Sequence, residues 1–170
     1  MDLTAHIRDI PDFPIKGIIF KDITPLLENK DAFRHAIKAM AEPFKNEGID
    51  LIVGMEARGF IFASPLAYEM GAGVGLIRKP GKLPYTTEAV SYDLEYGSNT
   101  LEIHTDTVKK GMKVLIADDL LATGGTLEAT IELIEKHGGE VVGITFLIEL
   151  GFLNAAEKFS KYNLKSVIKY

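Results

Sequence analysis

The feature that most constrains the fold of this chain is one continuous run, VLIADDLLATGGTL, at residues 114–127. The run begins with apolar residues, continues through two aspartates and a glycine–threonine loop, and ends where a helical pattern starts. Its apolar part, residues 114–117, is flanked by Lys113 and Asp118 and predicts a strand that is buried on both faces. The run therefore predicts a buried strand, a loop and a helix in direct succession.

The segment after the loop has the periodicity of a helix. Apolar residues recur at Leu127, Ile131 and Ile134, and the pair Gly138-Gly139 predicts the end of this helix. A second apolar strand is predicted at residues 141–148. Strand, helix and strand in this order form a parallel crossover, which places the loop at the carboxyl edge of the sheet, where open α/β folds bind ligands.

The loop itself has the composition of an anion site. Backbone N–H groups at a helix N-terminus favour an anion, and glycines let a phosphate approach closely. Asp118 and Asp119 would repel a bare phosphate, so they indicate a ligand with hydroxyl groups or a divalent cation beside its phosphate, such as a ribose phosphate. An ordinary tight turn whose last threonine caps the helix remains the alternative. The candidate phosphate-binding residues are Ala122, Thr123, Gly124, Gly125 and Thr126.

A second strand–helix–strand unit precedes this one. Residues 51–54 and 74–77 are apolar strand candidates, which brings the sheet to at least four parallel strands. The segment between them, residues 59–70, reads as a helix that Pro65 either kinks or restarts. Arg58 follows the first of these strands and suits a pyrophosphate, although pairing with Glu56 or another surface carboxylate explains it equally well. Further upstream, apolar spacing predicts a helix over residues 31–45.

The stretch from residue 78 to residue 104 combines charge with a long excursion. Arg78, Lys79 and Lys82 concentrate positive charge in a proline–glycine turn and predict an anion clamp, although charge runs are more often solvated surface. The spacing of glycines here fits neither a P-loop nor a dinucleotide-binding motif. Alternation from residue 90 to residue 103 around Gly97 predicts a hairpin or mobile ribbon, and such long excursions are often functional.

Composition excludes several classes of function. A chain of 170 residues with 46% hydrophobic residues suits one domain with a sizeable core. The sequence has no cysteine, and its four histidines show no ligand spacing, which argues against structural zinc. A net charge of −5 argues against binding to nucleic acid or to an acidic membrane. Without a long apolar stretch or the pattern of a signal peptide, the chain is expected to be cytoplasmic.

Several motifs together resemble one enzyme family. The string DDLLATGGT resembles the 5-phosphoribosyl pyrophosphate (PRPP) motif of purine phosphoribosyltransferases, and the members that act on adenine match best. The likeness extends over nearly the whole chain, in the same order along the sequence. The other matching motifs are DFP at residues 12–14, GIIFKD at 17–22, RGF at 58–60, IRKPGKLP at 77–84 and SYDLEYG at 91–97.

The resemblance implies a fold and an activity. The implied fold is the type I phosphoribosyltransferase fold, an α/β, Rossmann-like single domain over residues 1–170. Its central twisted parallel sheet is flanked by helices, with an N-terminal base-binding hood at residues 1–30 and a mobile hairpin loop at residues 79–104. The implied enzyme transfers the 5-phosphoribosyl group from PRPP to adenine in purine salvage. AMP and pyrophosphate form with inversion at the anomeric carbon, Mg²⁺ enters with PRPP, and the enzyme is a homodimer.

The resemblance also implies roles for individual residues. Glu95 stands where the family carries its catalytic acid or base. Asp118 and Asp119 would hold the ribose hydroxyls and are the candidate protein contacts of Mg²⁺, which is held mainly through PRPP. Lys21 stands where one common family variant has arginine, so a bidentate contact does not carry over to it. The implied pyrophosphate-binding residues are Arg58, Arg78, Lys79 and Lys82, and the implied adenine-binding residues are Ile19, Phe20 and Leu150.

Other functions stay open at this point. A related transferase could prefer hypoxanthine, guanine or xanthine. A PRPP-sensing regulator that binds nucleic acid is a candidate from another class, but the net charge of −5 and the presence of Glu95 weigh against it. A receiver-like signalling domain would explain an aspartate pair but leaves the glycine loop unexplained.

Overall fold

The computed structural model describes residues 1–93 and 97–170. The chain divides into two compact units, Met1–Ala39 and Met40–Tyr170. None of the helices in the described ranges has the length and apolar character needed to span a bilayer. The helices and strands in chain order are β1 (Arg8–Pro11), β2 (Ile19–Asp22), α1 (Thr24–Glu28), α2 (Lys30–Ala41), β3 (Leu51–Met55), α3 (Gly59–Met70), β4 (Gly73–Ile77), β5 (Thr87–Asp93), β6 (Ser98–His104), β7 (Lys113–Leu121), α4 (Gly125–Lys136), β8 (Glu140–Glu149) and β9 (Leu164–Lys169).

The first unit is built around a small antiparallel hairpin. Strands β1 and β2 pair in register from Arg8 opposite Asp22 to Pro11 opposite Ile19. The rings of Phe13 and Phe20 meet edge to face, with their centroids 5.2 Å apart. These contacts hold the hairpin together through backbone hydrogen bonds and one aromatic pair.

The second unit contains a five-stranded sheet in the order β4-β3-β7-β8-β9, in which every neighbouring pair is parallel. Helix α3 connects β3 to β4, and α4 connects β7 to β8. Because the two crossovers run in opposite directions along the sheet and such crossovers are right-handed, α3 and α4 lie on opposite faces. The predicted α/β fold with a central parallel sheet is confirmed.

The order of the strands also fixes where a ligand should bind. Counted along the chain, the parallel strands lie in the order 2-1-3-4-5, so the order reverses between β3 and β7. Open α/β sheets bind ligands at the carboxyl ends of the strands at such a switch point. The loops that follow Met55 and Leu121 lie at this position.

Some boundaries differ from the sequence-based expectations. Helix α2 ends at Ala41 and is followed by a short 3-10 turn at Glu42–Phe44, so the helix predicted over residues 31–45 was too long. Helix α3 is continuous from Gly59 to Met70 with Pro65 inside it, which settles the choice between a kinked and a restarted helix.

Two strands of the sheet also differ from the sequence-based expectations. Strand β9 was not predicted. Strand β7 continues past the apolar residues to Leu121, because Asp118 pairs with Phe146 and Leu120 with Ile148 of β8. The two aspartates therefore lie inside the last part of β7 and not after it.

Strands β5 and β6 form the predicted antiparallel hairpin. The hairpin packs against α4, and Val90, Leu101 and Ile103 are buried in the core that it shares with the helix. Residues 94–96 lie outside the described residues, and the mobility of the segment 79–104 stays a prediction.

Candidate active site

The phosphate loop, defined here as residues 122–126, links β7 to α4. Gly124 precedes the first helical residue with a φ of 89°, a left-handed conformation that favours glycine. A Cβ at this position would also lie 2.7 Å from the ring of Phe159. The loop closes around a cavity of about 100 Å³, which Asp118, Met55 and Phe146 also line. All five predicted phosphate-binding residues line this cavity, namely Ala122, Thr123, Gly124, Gly125 and Thr126.

Two side chains that sequence reasoning missed reach the phosphate loop. The hydroxyl of Tyr92 lies 3.2 Å from Thr126 Oγ1, and a Cβ at Gly125 would lie 3.0 Å from the Tyr92 ring. Lys158 Nζ donates a hydrogen bond of 3.4 Å to the carbonyl of Thr123. Both residues are distant in sequence from the loop, so only the alternation of the hairpin could have indicated that Tyr92 faces inwards.

The acidic pair, defined here as Asp118 and Asp119 at the end of β7, contacts Arg58 in the loop after β3. Arg58 Nε lies 2.8 Å from Asp119 Oδ2, and the Asp119 carboxylate is buried. This ion pair lacks hydrogen-bond alignment, and Oδ2 has no other hydrogen-bond partner in the described part of the chain. Asp118 Oδ1 accepts the Asp119 N–H at 2.8 Å, and a Cβ at residue 59 would lie 2.8 Å from the same oxygen. Gly59 is therefore required for the close approach of the two elements.

The surroundings shift the pKa values of both aspartates upwards. Burial raises the pKa of Asp118 well above its usual range, and the negative charge of Asp119 adds to this effect. Burial also raises the pKa of Asp119, while the Arg58 guanidinium opposes that shift. Two adjacent buried carboxylates are costly to ionise, and a ligand that donates hydroxyl groups or brings a cation would favour their ionised form. Perturbed carboxyls in a cleft are typical of functional sites.

The basic turn, defined here as residues 78–82, folds onto Glu56. One carboxylate oxygen of Glu56 accepts the Lys79 N–H at 2.8 Å and lies 3.1 Å from Arg78 Nε. The other oxygen lies 2.5 Å from Lys82 Nζ. Burial alone would raise the pKa of Glu56, but the hydrogen bonds from Lys82, Lys79 and Arg78 outweigh it, and its pKa is lowered. Glu56 is therefore ionised at neutral pH.

These contacts show where the predicted cations lie. Arg58 pairs with the buried Asp119. Arg78 and Lys82 are not merely solvated, since both pair with the Glu56 carboxylate. Lys79 keeps its side chain at the surface while its backbone is fixed. The loop at residues 56–59 thus connects the acidic pair on one side with the basic turn on the other.

The remaining predicted site residues belong to other elements of the chain or are not described. Glu95 falls within residues 94–96, outside the described residues. Ile19 is exposed and Phe20 is half-buried, both on β2 of the first unit. Leu150 is half-buried after the end of β8, where its N–H donates to the Leu121 carbonyl at 2.9 Å. Lys21 Nζ lies 2.7 Å from Asp9 Oδ1.

The acidic pair also decides how a magnesium ion could be held. The described residues contain no cluster of three or more histidine, aspartate or glutamate side chains that could hold a metal by themselves. Asp119 Oδ2, buried and without an aligned donor, is an available oxygen ligand. Mg²⁺ is typically bound by one or two carboxylates together with substrate phosphates. The donor set therefore fits a magnesium ion that arrives with a phosphorylated substrate.

Comparisons with known proteins agree with this geometry. The family model described as "Phosphoribosyl transferase domain" matches residues 22–169. Over the full length of both proteins, the chain is 55% identical to the adenine phosphoribosyltransferase of Pseudothermotoga lettingae. The crystal structure of adenine phosphoribosyltransferase from Thermoanaerobacter pseudethanolicus matches with a TM-score of 0.95 and 50% identity, covering 99% of this chain and 98% of that one.

A more distant structure carries ligands. The adenine phosphoribosyltransferase of Saccharomyces cerevisiae, complexed with an imino-altritol bisphosphate and adenine, matches with a TM-score of 0.91 and 36% identity. The match covers 97% of this chain and 96% of that one. The family model and the full-length relatives agree, and the chain belongs to the phosphoribosyltransferase family, among the adenine phosphoribosyltransferases.

Proposed function

We propose that this protein transfers the 5-phosphoribosyl group from PRPP to adenine, giving AMP and pyrophosphate with inversion at the anomeric carbon. The proposal rests on the contact between Arg58 and Asp119. This contact connects the end of β7, beside the phosphate-loop cavity, with the loop at residues 56–59, which also contacts the basic turn. One substrate with a phosphate at one end and a pyrophosphate at the other accounts for both sides. The adenine in the yeast relative supports adenine as the base.

On the sugar side, the phosphate loop binds the 5-phosphate of PRPP. Backbone N–H groups from Ala122 to Thr126 donate to the phosphate oxygens, and the dipole of α4 favours the negative charge. Asp118 and Asp119 accept hydrogen bonds from the ribose hydroxyls. As the bond to pyrophosphate breaks, their charge stabilises the positive charge that develops on the ribose ring.

On the leaving-group side, Arg58, Arg78, Lys79 and Lys82 neutralise the departing pyrophosphate. Arginine suits this role because its planar guanidinium binds phosphate oxygens through two N–H groups at once. Asp118 and Asp119 would help to hold a magnesium ion bound with PRPP, and the ion would supply further positive charge to the pyrophosphate. The metal itself is a prediction from the family.

The base side of the proposal uses the residue roles that the family implies. Phe20 stacks on the purine ring, the main chain around Ile19 reads the edge of the base, and Leu150 provides an apolar wall. A backbone carbonyl distinguishes adenine from the oxopurines, because adenine presents an amino donor where they present a carbonyl. Glu95 manages the proton on the imidazole part of the purine. The homodimer and the cytoplasmic location also stay predictions from the family and the sequence.

The direct test is an assay with purified protein, PRPP, Mg²⁺ and each of adenine, hypoxanthine, guanine and xanthine, with the nucleotide separated and quantified. We expect AMP and pyrophosphate to form in equal amounts, and adenine to exceed each oxopurine at least about 100-fold in kcat/KM, since a mismatched hydrogen-bonding edge is strongly rejected. A higher kcat/KM with an oxopurine would overturn the base assignment. PRPP binding without turnover on any of the four bases would support the regulator instead.

Glu95→Gln tests the proton-transfer role. The amide keeps the size of the side chain but cannot exchange a proton, so kcat should fall by about 100-fold, which is typical of general acid–base catalysis. The Kd for PRPP should stay within about twofold. Single-turnover measurements make chemistry the observed step, and a wild-type rate under those conditions would remove Glu95 from the reaction.

A further inference from the structure

Glu56 is a covered carboxylate to which the proposed reaction assigns no role. Its side chain is 6% exposed, and it lies in the loop after β3, two residues before Arg58. Both of its oxygens accept hydrogen bonds from the basic turn, 22 to 26 residues further along the chain. Its own N–H donates to the Ile77 carbonyl at 3.0 Å. Backbone and side chain of Glu56 together attach this loop to the end of β4.

The contacts leave most of the donors of the basic turn available. The Arg78 guanidinium has five N–H groups, of which Nε lies against Glu56 and one on Nη1 donates to the Lys82 carbonyl at 3.4 Å. The Lys82 ammonium has three N–H groups and directs one at Glu56. The Lys79 backbone is fixed while its side chain remains exposed. Glu56 therefore holds the cations by one side, and most of their remaining donors have no hydrogen-bond partner among residues 1–93 and 97–170.

Charge explains why a carboxylate is useful at this place. Arg78, Lys79 and Lys82 carry like charges in one short turn and would repel each other if nothing lay between them. Long cationic side chains also lose rotamer entropy when a ligand orders them, and a group that orders them beforehand reduces that cost. One carboxylate among three cations still leaves the turn positively charged.

We propose that Glu56 is a positioning residue for the pyrophosphate end of PRPP, acting through Arg78, Lys82 and the Lys79 backbone. The proposal rests on the function proposed above. The competing reading is that Glu56 occupies the cations as an internal anion and must be displaced. The two readings predict opposite signs: removal of the negative charge weakens pyrophosphate binding in the first and strengthens it in the second.

The experiment is isothermal titration of wild-type protein and Glu56→Gln with pyrophosphate in the presence of Mg²⁺, and separately with AMP. We expect the Kd for pyrophosphate to rise about tenfold and the Kd for AMP to stay within twofold, because the AMP phosphate is assigned to the phosphate loop. In the assay, KM for PRPP should rise while KM for adenine is unchanged. A purely structural defect would raise the Kd for both pyrophosphate and AMP.

Glu102→Gln is the matched control. Glu102 Oε2 accepts the Gly81 N–H at 3.3 Å, so this carboxylate touches the same turn without an ion pair to Arg78 or Lys82. The substitution removes the same charge and should leave the Kd for pyrophosphate unchanged or lower it. Equal weakening by both variants would overturn the specific role of Glu56.

Glu56→Asp keeps the charge but shortens the side chain, so it should also weaken pyrophosphate binding. This variant replaces Glu56→Gln in the experiment if the glutamine variant does not fold. Pyrophosphate binding by Glu56→Gln that is as tight as in the wild type, or tighter, would overturn the proposal. The function proposed above fails separately, since it fails if the wild-type protein forms no AMP.

Discussion

The phosphate loop and the basic turn face the same proposed substrate but are built differently. The phosphate loop offers backbone N–H groups at the start of α4, and its shape depends on the left-handed Gly124 and on contacts with Tyr92 and Phe159. The basic turn offers side-chain charges, and its shape depends on ion pairs with Glu56. A fixed backbone binds one phosphate in one place, whereas the charges of the basic turn lie on side chains that Glu56 orders.

The acidic pair lies between these two regions, and its loss should have the largest effect. Asp119→Asn removes the charge that faces Arg58 and the proposed ribose, so kcat should fall by about 100-fold, comparable to the loss of one preorganised electrostatic contact. Asp118→Asn should also lower kcat. Steady-state kinetics of both variants provides the test, and wild-type kinetics in either would exclude that residue from the site.

Gly124→Ala tests the backbone-built region. The methyl group would meet the Phe159 ring at 2.7 Å and would force a left-handed conformation on alanine, so the Kd for AMP should rise by about 30-fold, consistent with a cost of roughly 2 kcal/mol. Gly111→Ala is the control, because Gly111 has a φ of 80° and open space around it. Equal AMP affinity in the two variants would show that the shape of the loop is not what binds the phosphate.

Lys82→Met tests the region built from side chains. Methionine keeps an apolar stem but loses the charge, so the Kd for pyrophosphate with Mg²⁺ should rise at least about tenfold, since a hydrogen bond to a charged group contributes about 1.5–3 kcal/mol. Lys136→Met is the control. Lys136 lies in the last turn of α4, at the end away from the phosphate loop, and pairs with Glu88 of β5. An unchanged pyrophosphate affinity in Lys82→Met would remove this cation from the site.

Tyr92→Phe should have the smallest effect of these changes. Phenylalanine keeps the ring against Gly125 and loses only the hydroxyl near Thr126, so the Kd for AMP should rise by about fivefold, the value of one hydrogen bond. Pyrophosphate affinity should not change. If the Kd for pyrophosphate rises instead, the hairpin acts on the basic turn and the division between the two regions is wrong.

The sequence predicted the strand, the turn and the helix around the phosphate loop, because these three follow each other within residues 114–136. It did not predict the contacts of the loop with Tyr92 and Phe159, which are distant in sequence. The predicted family, fold and hairpin are confirmed for the same reason, since each depends on motifs of contiguous residues. The extension of β7 through Asp118 was missed, because pairing with Phe146 continues where the apolar pattern stops.

The sequence could not predict contacts between distant residues. Glu56 was considered only as a partner of Arg58, while its actual partners lie on another strand end. Asp119 as the partner of Arg58 was not foreseen either, because their pairing depends on β3 and β7 being neighbours in the sheet. Strand β9 was missed because its six residues, LKSVIK, neither alternate strictly between polar and apolar nor form a continuous apolar run. The roles of Glu95, Ile19, Phe20 and Leu150 stay predictions.

A crossed titration tests the division of the site most directly. Gly124→Ala and Lys82→Met are each titrated with AMP and with pyrophosphate plus Mg²⁺, alongside the wild-type protein. We expect Gly124→Ala to raise the Kd for AMP and to leave the Kd for pyrophosphate unchanged. Lys82→Met should raise the Kd for pyrophosphate and leave the Kd for AMP unchanged. If both variants raise the Kd for both ligands to the same degree, the phosphate loop and the basic turn do not bind separate ends of PRPP, and the proposed division of the site is wrong.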